Sequence, residues 1–583
     1  MAILCLLCTG LALATLFATS GLGPDSVTYL HMADSIVAGQ GLTHRWAYWD
    51  PVYETCDLPT PTTLWPPGYS MAIAALSSLG VQPYLAARII SILAFALLPV
   101  PIFGTLRLFL TPAKAILSTV LVMSLFPIAR RSASVVSEPA FLLAATFSLF
   151  LSVRAVMGSD TRRIAWCWFG ASLAAGVAIL FRYIGISCLL SIALICFFAT
   201  RSEPFRTRWL FRLVATIPAG LIMLVLMLRK LFVVGTPGQS MPGADIFWLT
   251  LSGAERSAVT SLIGWRALLG PGAPILFRSI HLALFGILAV LAGVSFWSGS
   301  RPRKGAEDLR RQQIASRIMI AFVATYLLVL ITALAKNGMK LNPRYVTIIA
   351  PWCMLLLVPW ALRMDHTRLR TFLGHHAGRV SLVVCALLVM SQGALMLRWL
   401  RSSPRESYVW ATQESPTIAW IRNNVAPDET ILSNRGAAIA YWCPNPVLRV
   451  PLIPFSVVTT TTWEQVDRLA DKAHARFLVH WPGYPKTSKY DHNQFVFLRS
   501  LDDPSKLQHR SSLSLADGTI YFVGKHREIG FPVETVERNQ LFHNLNNNDQ
   551  TIFTGTGLVD RGQSAHGPGT LTAHKTETPA RSQ

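Results

Sequence analysis

The sequence predicts a polytopic α-helical membrane protein of about eleven transmembrane helices, followed by a small extracytoplasmic α/β domain and a disordered tail. Three observations carry that prediction. Hydrophobic residues make up 52% of the 583 positions and charged residues only 14%, whereas soluble domains carry roughly 25% charged residues. Apolar stretches of about 20 residues, the length that crosses hydrocarbon as a helix, recur through residues 1–400. After residue 399 the composition shifts to that of a soluble domain.

The same figures exclude a disordered, collagenous or disulfide-framework protein. Lys and Arg number 52 against 30 Asp and Glu, a formal charge of +22. In a soluble chain that balance would suggest nucleic acid. Here the basic residues stand in short blocks between apolar runs, so a membrane and not a nucleic acid is the expected partner.

In chain order, the spans are expected near 2–22, 84–110, 113–129, 139–157, 164–181, 184–200, 210–228, 280–298, 316–335, 344–362 and 380–398. The first ends in small residues (Ala18, Thr19, Ser20, Gly21), as a signal peptide would, but lacks a basic n-region and reads as an uncleaved span. Basic residues are retained on the cytoplasmic side. A cytoplasmic N-terminus places Arg107 and Lys114, then Arg154, Arg162 and Arg163, then Arg201, Arg206, Arg208 and Arg212 on that face, and the later blocks at 301–311 and 363–379 follow. The chain after residue 399 is then extracytoplasmic.

Two outer loops, 23–83 and 229–279, are long, and long ordered loops are more often functional than not. Beyond the spans, residues 415–424 and 462–473 read as helices, and 429–434, 475–480 and 519–523 as strands, of an α/β domain over 401–524. Residues 525–583 are Asn-, Thr- and Gly-rich with few apolar side chains and read as disordered. Of nine cysteines, only Cys56 and Cys443 fall outside the expected spans, which allows one disulfide between them if they are close.

Four features could carry chemistry. Gly23-Pro24-Asp25-Ser26 directly follows the first span; Asp25 either caps the next helix or acts as a general base at the membrane surface. Leu64-Trp65-Pro66-Pro67-Gly68-Tyr69-Ser70 reads as a rigid turn into an interfacial helix and can shape a site wall. Arg130, Arg131, Arg182 and Arg344, with Lys336 and Lys340, break the charge rule on the outer face. Singly they would snorkel to headgroups; together they suit a lipid-linked phosphate. Ser137-Glu138-Pro139 has helix-start chemistry with an acid that could also line a site. His44 lies near the acidic outer loop, His375 and His376 fall in a cytoplasmic loop, and no metal-ligand spacing appears.

These motifs, in this order, resemble the C-type glycosyltransferase superfamily. The resemblance rests on Asp25 in a D-x-x-x-Y-L-x-M-A setting, Pro66-Pro67-Gly68-Tyr69, and Ala86, Ala87, Arg88 and Ser91 at the start of the second span. It also rests on Ser137-Glu138-Pro139, on Leu180-Phe181-Arg182-Tyr183 in place of L-T-R-P or L-T-R-Y, and on Asn342-Pro343-Arg344-Tyr345. It is similar in particular to bacterial relatives of the protein O-mannosyltransferases and the lipid A aminoarabinose and galacturonic acid transferases. It covers roughly residues 1–400, with a weaker echo from Ala419-Trp420-Ile421-Arg422 to Pro427-Asp428.

The resemblance implies an inverting glycosyltransferase in the plasma membrane that moves a sugar from a polyprenyl-phosphate donor to a protein, lipid or glycan acceptor on the outer face. Asp25 matches the catalytic carboxylate, and Glu138 a second acid lining the site. Arg182 and Arg344 fall where basic residues hold the donor phosphate, with Arg131, Tyr345 and Tyr69 completing the expected substrate-binding set. Relatives carry Glu-Lys before the Pro-Pro where this chain has Leu64-Trp65, and many carry a second acid where it has Ser26. No cofactor is therefore assigned, and a divalent metal is left open. The alternatives are a transporter or lipid flippase, or a structural or sensory protein; loss of Asp25 would abolish activity only in the transferase.

Overall fold

The computed structural model describes residue 10, residues 22–48, 58–62, 65–132, 134–234, 307–337, 343–361, 415–450, 463–481 and 512–526, and short pieces between 383 and 394. The expected spans 2–22 and 280–298, most of 380–398, most of the loop 229–279, Cys56, Lys340, His375, His376 and the tail beyond 526 lie outside the described residues.

Helix α1 (Pro24–Val37) is followed by short strands β1 (Thr43–His44), β2 (Trp46–Tyr48) and β3 (Thr60–Pro61), then helix α2 (Gly68–Ser77). The expected span over 84–110 is two helical pieces, α3 (Pro83–Leu97) and α4 (Pro99–Arg107). Pro99 lacks the amide that would continue the ladder, yet Leu98 keeps helical angles and the two run on as one apolar stretch, Pro83–Arg107. The expected span over 113–129 likewise divides into α5 (Pro112–Met123) and α6 (Phe126–Ser132).

A long hairpin follows, α7 (Glu138–Met157) and α8 (Thr161–Phe181). Its turn is fixed by Asp160, whose side chain accepts a hydrogen bond from the Arg162 amide at 3.2 Å, as an N-cap should. A 3₁₀ turn (Tyr183–Gly185) leads into α9 (Ile186–Ala199), then α10 (Phe205–Val234), α11 (Glu307–Asn337) and α12 (Pro343–Ala361). Pro218 interrupts the ladder of α10, and the neighbouring Ala219 amide donates to Ser172 Oγ of α8 at 3.1 Å. That cross-helix bond uses the close approach that Gly176 of α8 permits.

Five helices among the described residues are long and apolar enough to cross a membrane: Pro83–Arg107, Glu138–Met157, Thr161–Phe181, Phe205–Val233 and Arg310–Ala333. Their shared core includes Phe141, Trp168, Phe322 and Trp352. Outward-facing Leu, Phe and Val on α8, α9 and α10 remain exposed, as a lipid-facing surface requires.

The α/β part comprises α13 (Pro416–Asn424), β4 (Ile431–Ser433), α14 (Gly436–Trp442), β5 (Val447–Arg449), α15 (Trp463–Lys472), β6 (Phe477–His480), β7 (Ser512–Ser514) and β8 (Thr519–Phe522). The six-stranded sheet has the order β2-β5-β4-β6-β8-β7. The first four strands pair in parallel and the last two antiparallel. Ser415 caps α13 by accepting from the Ile418 amide at 3.2 Å.

One element of this sheet comes from elsewhere in the chain. Strand β2, from the first outer loop, pairs with β5 in the register Trp46↔Val447, Ala47↔Leu448, Tyr48↔Arg449. The sheet is thus not confined to residues after 401. Three residues carry too short a pattern to show a period-2 alternation, so this crossing was invisible in the sequence.

Candidate functional site

Helix α1 begins with Gly23 in an extended conformation and Pro24 in the first helical turn. The Gly23 amide donates to Ser26 Oγ at 3.2 Å, and Thr28 Oγ1 donates to the Pro24 carbonyl at 3.1 Å. Gly23 is the N-cap, and Asp25 is not the capping residue. The Asp25 carboxylate is half-buried in the first turn of α1.

Tyr29 lies one turn further along, on the same face as Asp25 because side chains at i and i+4 are neighbours. It is 2% exposed. Its hydroxyl shares a hydrogen bond with Ser137 Oγ at 3.0 Å, and its ring meets Tyr69 edge-on with centroids 5.1 Å apart. Tyr69 is fully buried; its hydroxyl donates to the Ala87 carbonyl at 2.9 Å and sits 2.9 Å from Ser91 Oγ. Ser91 Oγ in turn donates to the Val136 carbonyl. Helices α1, α2 and α3 are thereby joined to the start of α7.

Ser137 precedes Glu138, the first residue of α7. Glu138 Oε1 stands 3.1 Å from Arg182 Nη1, with side-chain exposures of 5% and 12%. Arg182 occupies the extended break between α8 and the 3₁₀ turn, its amide still donating to Ala178. Glycines make that break possible. A Cβ on Gly185 would lie 2.6 Å from Ala178 C, and one on Gly68 would lie 2.7 Å from the Leu180 carbonyl oxygen. The glycine of Pro66-Pro67-Gly68-Tyr69 thus lets α2 approach the backbone just before Arg182.

Tyr29 sits among these charges. Burial pushes its hydroxyl up to about 12, Arg182 opposes that shift, and Asp25 and Glu138 add to it. Burial also raises Tyr69, with Tyr29 and Glu138 acting in the same direction. Asp25, Glu138, Arg182 and Tyr69, each singled out by sequence, therefore meet around Tyr29. Arg131 is half-buried beside Arg130 in α6. Arg344 and Tyr345 lie in the first turn of α12, but their side chains are outside the described residues. Among the described residues, no group of three or more His, Cys, Asp or Glu side chains could hold a metal ion.

Sequence reasoning quoted Tyr29 and Ser137 as members of motifs without giving either a role, and missed Arg229 altogether. The four-residue spacing from Asp25 pointed to Tyr29. Nothing in the sequence pointed to Arg229, whose guanidinium donates to the Thr62 carbonyl at 2.8 Å and the Leu42 carbonyl at 3.4 Å, pinning the first outer loop to α10.

His31, two residues beyond Tyr29 and on the opposite face of α1, has different surroundings. Burial, with Arg45 and His44 adding to it, depresses its imidazole to about 3. Burial likewise depresses His44 to about 4, opposed by a bond to the Trp46 backbone. Arg45 Nη1 donates to the Pro444 carbonyl at 3.3 Å, and the Val447 amide donates to the Arg45 carbonyl at 2.9 Å. Cys443 is a buried free thiol.

No protein-family profile matches the chain, and no curated protein matches it by sequence. Solved structures do match. ArnT from Cupriavidus metallidurans bound to undecaprenyl phosphate aligns with a TM-score of 0.52 at 12% identity, over 90% of this chain and 99% of that one. AglB, the oligosaccharyltransferase of Archaeoglobus fulgidus, in complex with an inhibitory peptide and a dolichol-phosphate, aligns with a TM-score of 0.50 at 12% identity, over 90% and 74%. The chain has the fold of the C-type integral-membrane glycosyltransferases.

Proposed function

We propose that the chain is an inverting glycosyltransferase that moves a sugar from a polyprenyl-phosphate donor to a protein, lipid or glycan acceptor at the outer face of the plasma membrane. The observation that carries this reading is the buried Glu138–Arg182 pair gathered with Asp25 around Tyr29, in a fold shared with an enzyme captured on undecaprenyl phosphate.

Asp25 accepts the proton of the acceptor hydroxyl as its oxygen attacks the anomeric carbon from the face opposite the phosphate. The bond from that carbon to the phosphate oxygen breaks, and the lipid phosphate leaves with the bonding pair. Arg182 stabilises the charge developing there, and Glu138, bonded at Nη1, holds the guanidinium in place. Arg344, Arg131 and Tyr345 add donor contacts. Tyr69, with its hydroxyl committed to Ala87 and Ser91, serves as a wall of the site.

The α7–α8 hairpin supports the outer placement. Glu138 and Arg182 lie at its open end, while Arg154, Arg162 and Arg163 lie at its closed end. The positive-inside rule puts the closed end in the cytoplasm and the site outside. About eleven spans in all would then leave the α/β sheet extracytoplasmic, over the site.

The test is to incubate the reconstituted chain with a panel of polyprenyl-phosphate sugars and candidate acceptors, following free polyprenyl phosphate and the anomeric configuration of the product. Release with inverted configuration is expected. Transfer with retained configuration would contradict the direct displacement, and lipid movement across the bilayer without sugar transfer would indicate a flippase.

A further inference from the structure

We infer that Tyr29 is a positioning residue, whose hydroxyl bond to Ser137 sets the distance between the Asp25 carboxylate and the Glu138–Arg182 pair. This rests on the glycosyltransferase reading above and gives a role to the tyrosine of the D-x-x-x-Y motif, to which the sequence assigned none. Asp25 and Glu138 come from different helices, α1 and α7, and no covalent feature fixes one to the other. The Tyr29–Ser137 bond is a buried side-chain hydrogen bond that joins the two helices at the level of the site. It is local to both acids: Tyr29 is one turn from Asp25, and Ser137 is adjacent to Glu138.

The ring is clamped as well. It stands edge-on to Tyr69, which is itself held through Ala87 and Ser91 of α3. A side chain 2% exposed with a buried partner has little freedom to swing, which is what a spacer needs. Burial keeps the hydroxyl protonated far above neutral pH, so the bond persists at neutral pH. The competing role is that of an aromatic core residue, for which the ring alone matters.

Tyr29→Phe separates the two, because it keeps the ring and its contact with Tyr69 and removes only the hydroxyl. Displacements of about 1 Å at a reacting centre can cost about a hundredfold; loss of one tether among several contacts should cost about tenfold. In the reconstituted full chain, Tyr29→Phe is expected to lower kcat about tenfold and leave the donor KM within about twofold. Ser137→Ala is expected to do the same, and the double variant to be no worse than either single one, since both remove one bond. A Tyr29→Phe variant with wild-type kcat, or losses that multiply in the double variant, would overturn the inference while leaving the transferase reading intact. Absence of transfer by the wild-type chain with every donor and acceptor would overturn both.

Discussion

The two faces of α1 hold polar side chains in opposite ways. On one, the charges of Asp25, Glu138 and Arg182 all act on Tyr29. On the other, His31 is buried as a neutral imidazole, with His44 and Trp46 leading into the strand that joins the six-stranded sheet. Buried charge survives only when paired, and its retention beside an apolar helix bundle is a mark of function. A buried neutral imidazole carries no such mark. Helix α1 thus runs from the candidate site to the neighbourhood of α14 in the α/β part.

The largest effect should come from breaking the charged face. Arg182→Ala leaves Glu138 buried without its cation, a change that typically costs about 3–5 kcal/mol. A large drop in the thermal midpoint of the detergent-solubilised chain is expected, and Glu138→Gln combined with Arg182→Ala should recover part of it without restoring transfer. An Arg182→Ala midpoint equal to wild type would show that the pair is not a buried one.

The neutral face should answer to acid instead. Both imidazoles have folded values, about 3 for His31 and about 4 for His44, below the ordinary 6.5. Between these values and 6.5 the unfolded state binds more protons, so stability present above pH 6.5 is lost as pH falls. At pH 5 each histidine should cost about 2 kcal/mol. Limited proteolysis of the outer sheet is expected to quicken between pH 7 and pH 5, and His31→Gln with His44→Gln to flatten that dependence. A wild-type profile already flat would mean this region does not open on protonation.

A smaller effect is expected at the backbone that supports Arg182. Gly68→Ala puts a Cβ 2.7 Å from the Leu180 carbonyl oxygen, and forced overpacking of this kind costs about 1–3 kcal/mol. Because the strain falls on the backbone next to Arg182, transfer should drop by more than the thermal midpoint suggests. An unchanged midpoint and rate would show that α2 and α8 can part without consequence.

Much of the helical frame was legible because it obeys local rules. Apolar runs, with Glu138-Pro139 opening one of them, gave α8 and α7 to within a few residues. Ser415 marked α13, and apolar clusters marked β4, β6 and β8. What the sequence concealed depends on distant partners. Strand β2 is three residues whose pairing lies 400 positions away in β5. Asp25 read as a cap or a base, and the extended Gly23 at the N-cap with its bond to Ser26 removed the first option. The glycine of the Pro-Pro-Gly-Tyr motif looked like a turn residue, whereas its reason is the Leu180 backbone. Arg182 stood out in the sequence as a break in the charge rule, and its pairing with Glu138 became visible once α7 and α8 packed together.

The central claim is that Asp25 performs chemistry at the charged face of α1. The most direct measurement compares wild type with Asp25→Asn in proteoliposomes for release of polyprenyl phosphate from its sugar-linked form in the presence of acceptor. The account predicts release by wild type and a loss of about a hundredfold or more in the variant, with the thermal midpoint unchanged because Gly23 and Ser26 build the helix start. Equal release by both proteins would contradict it.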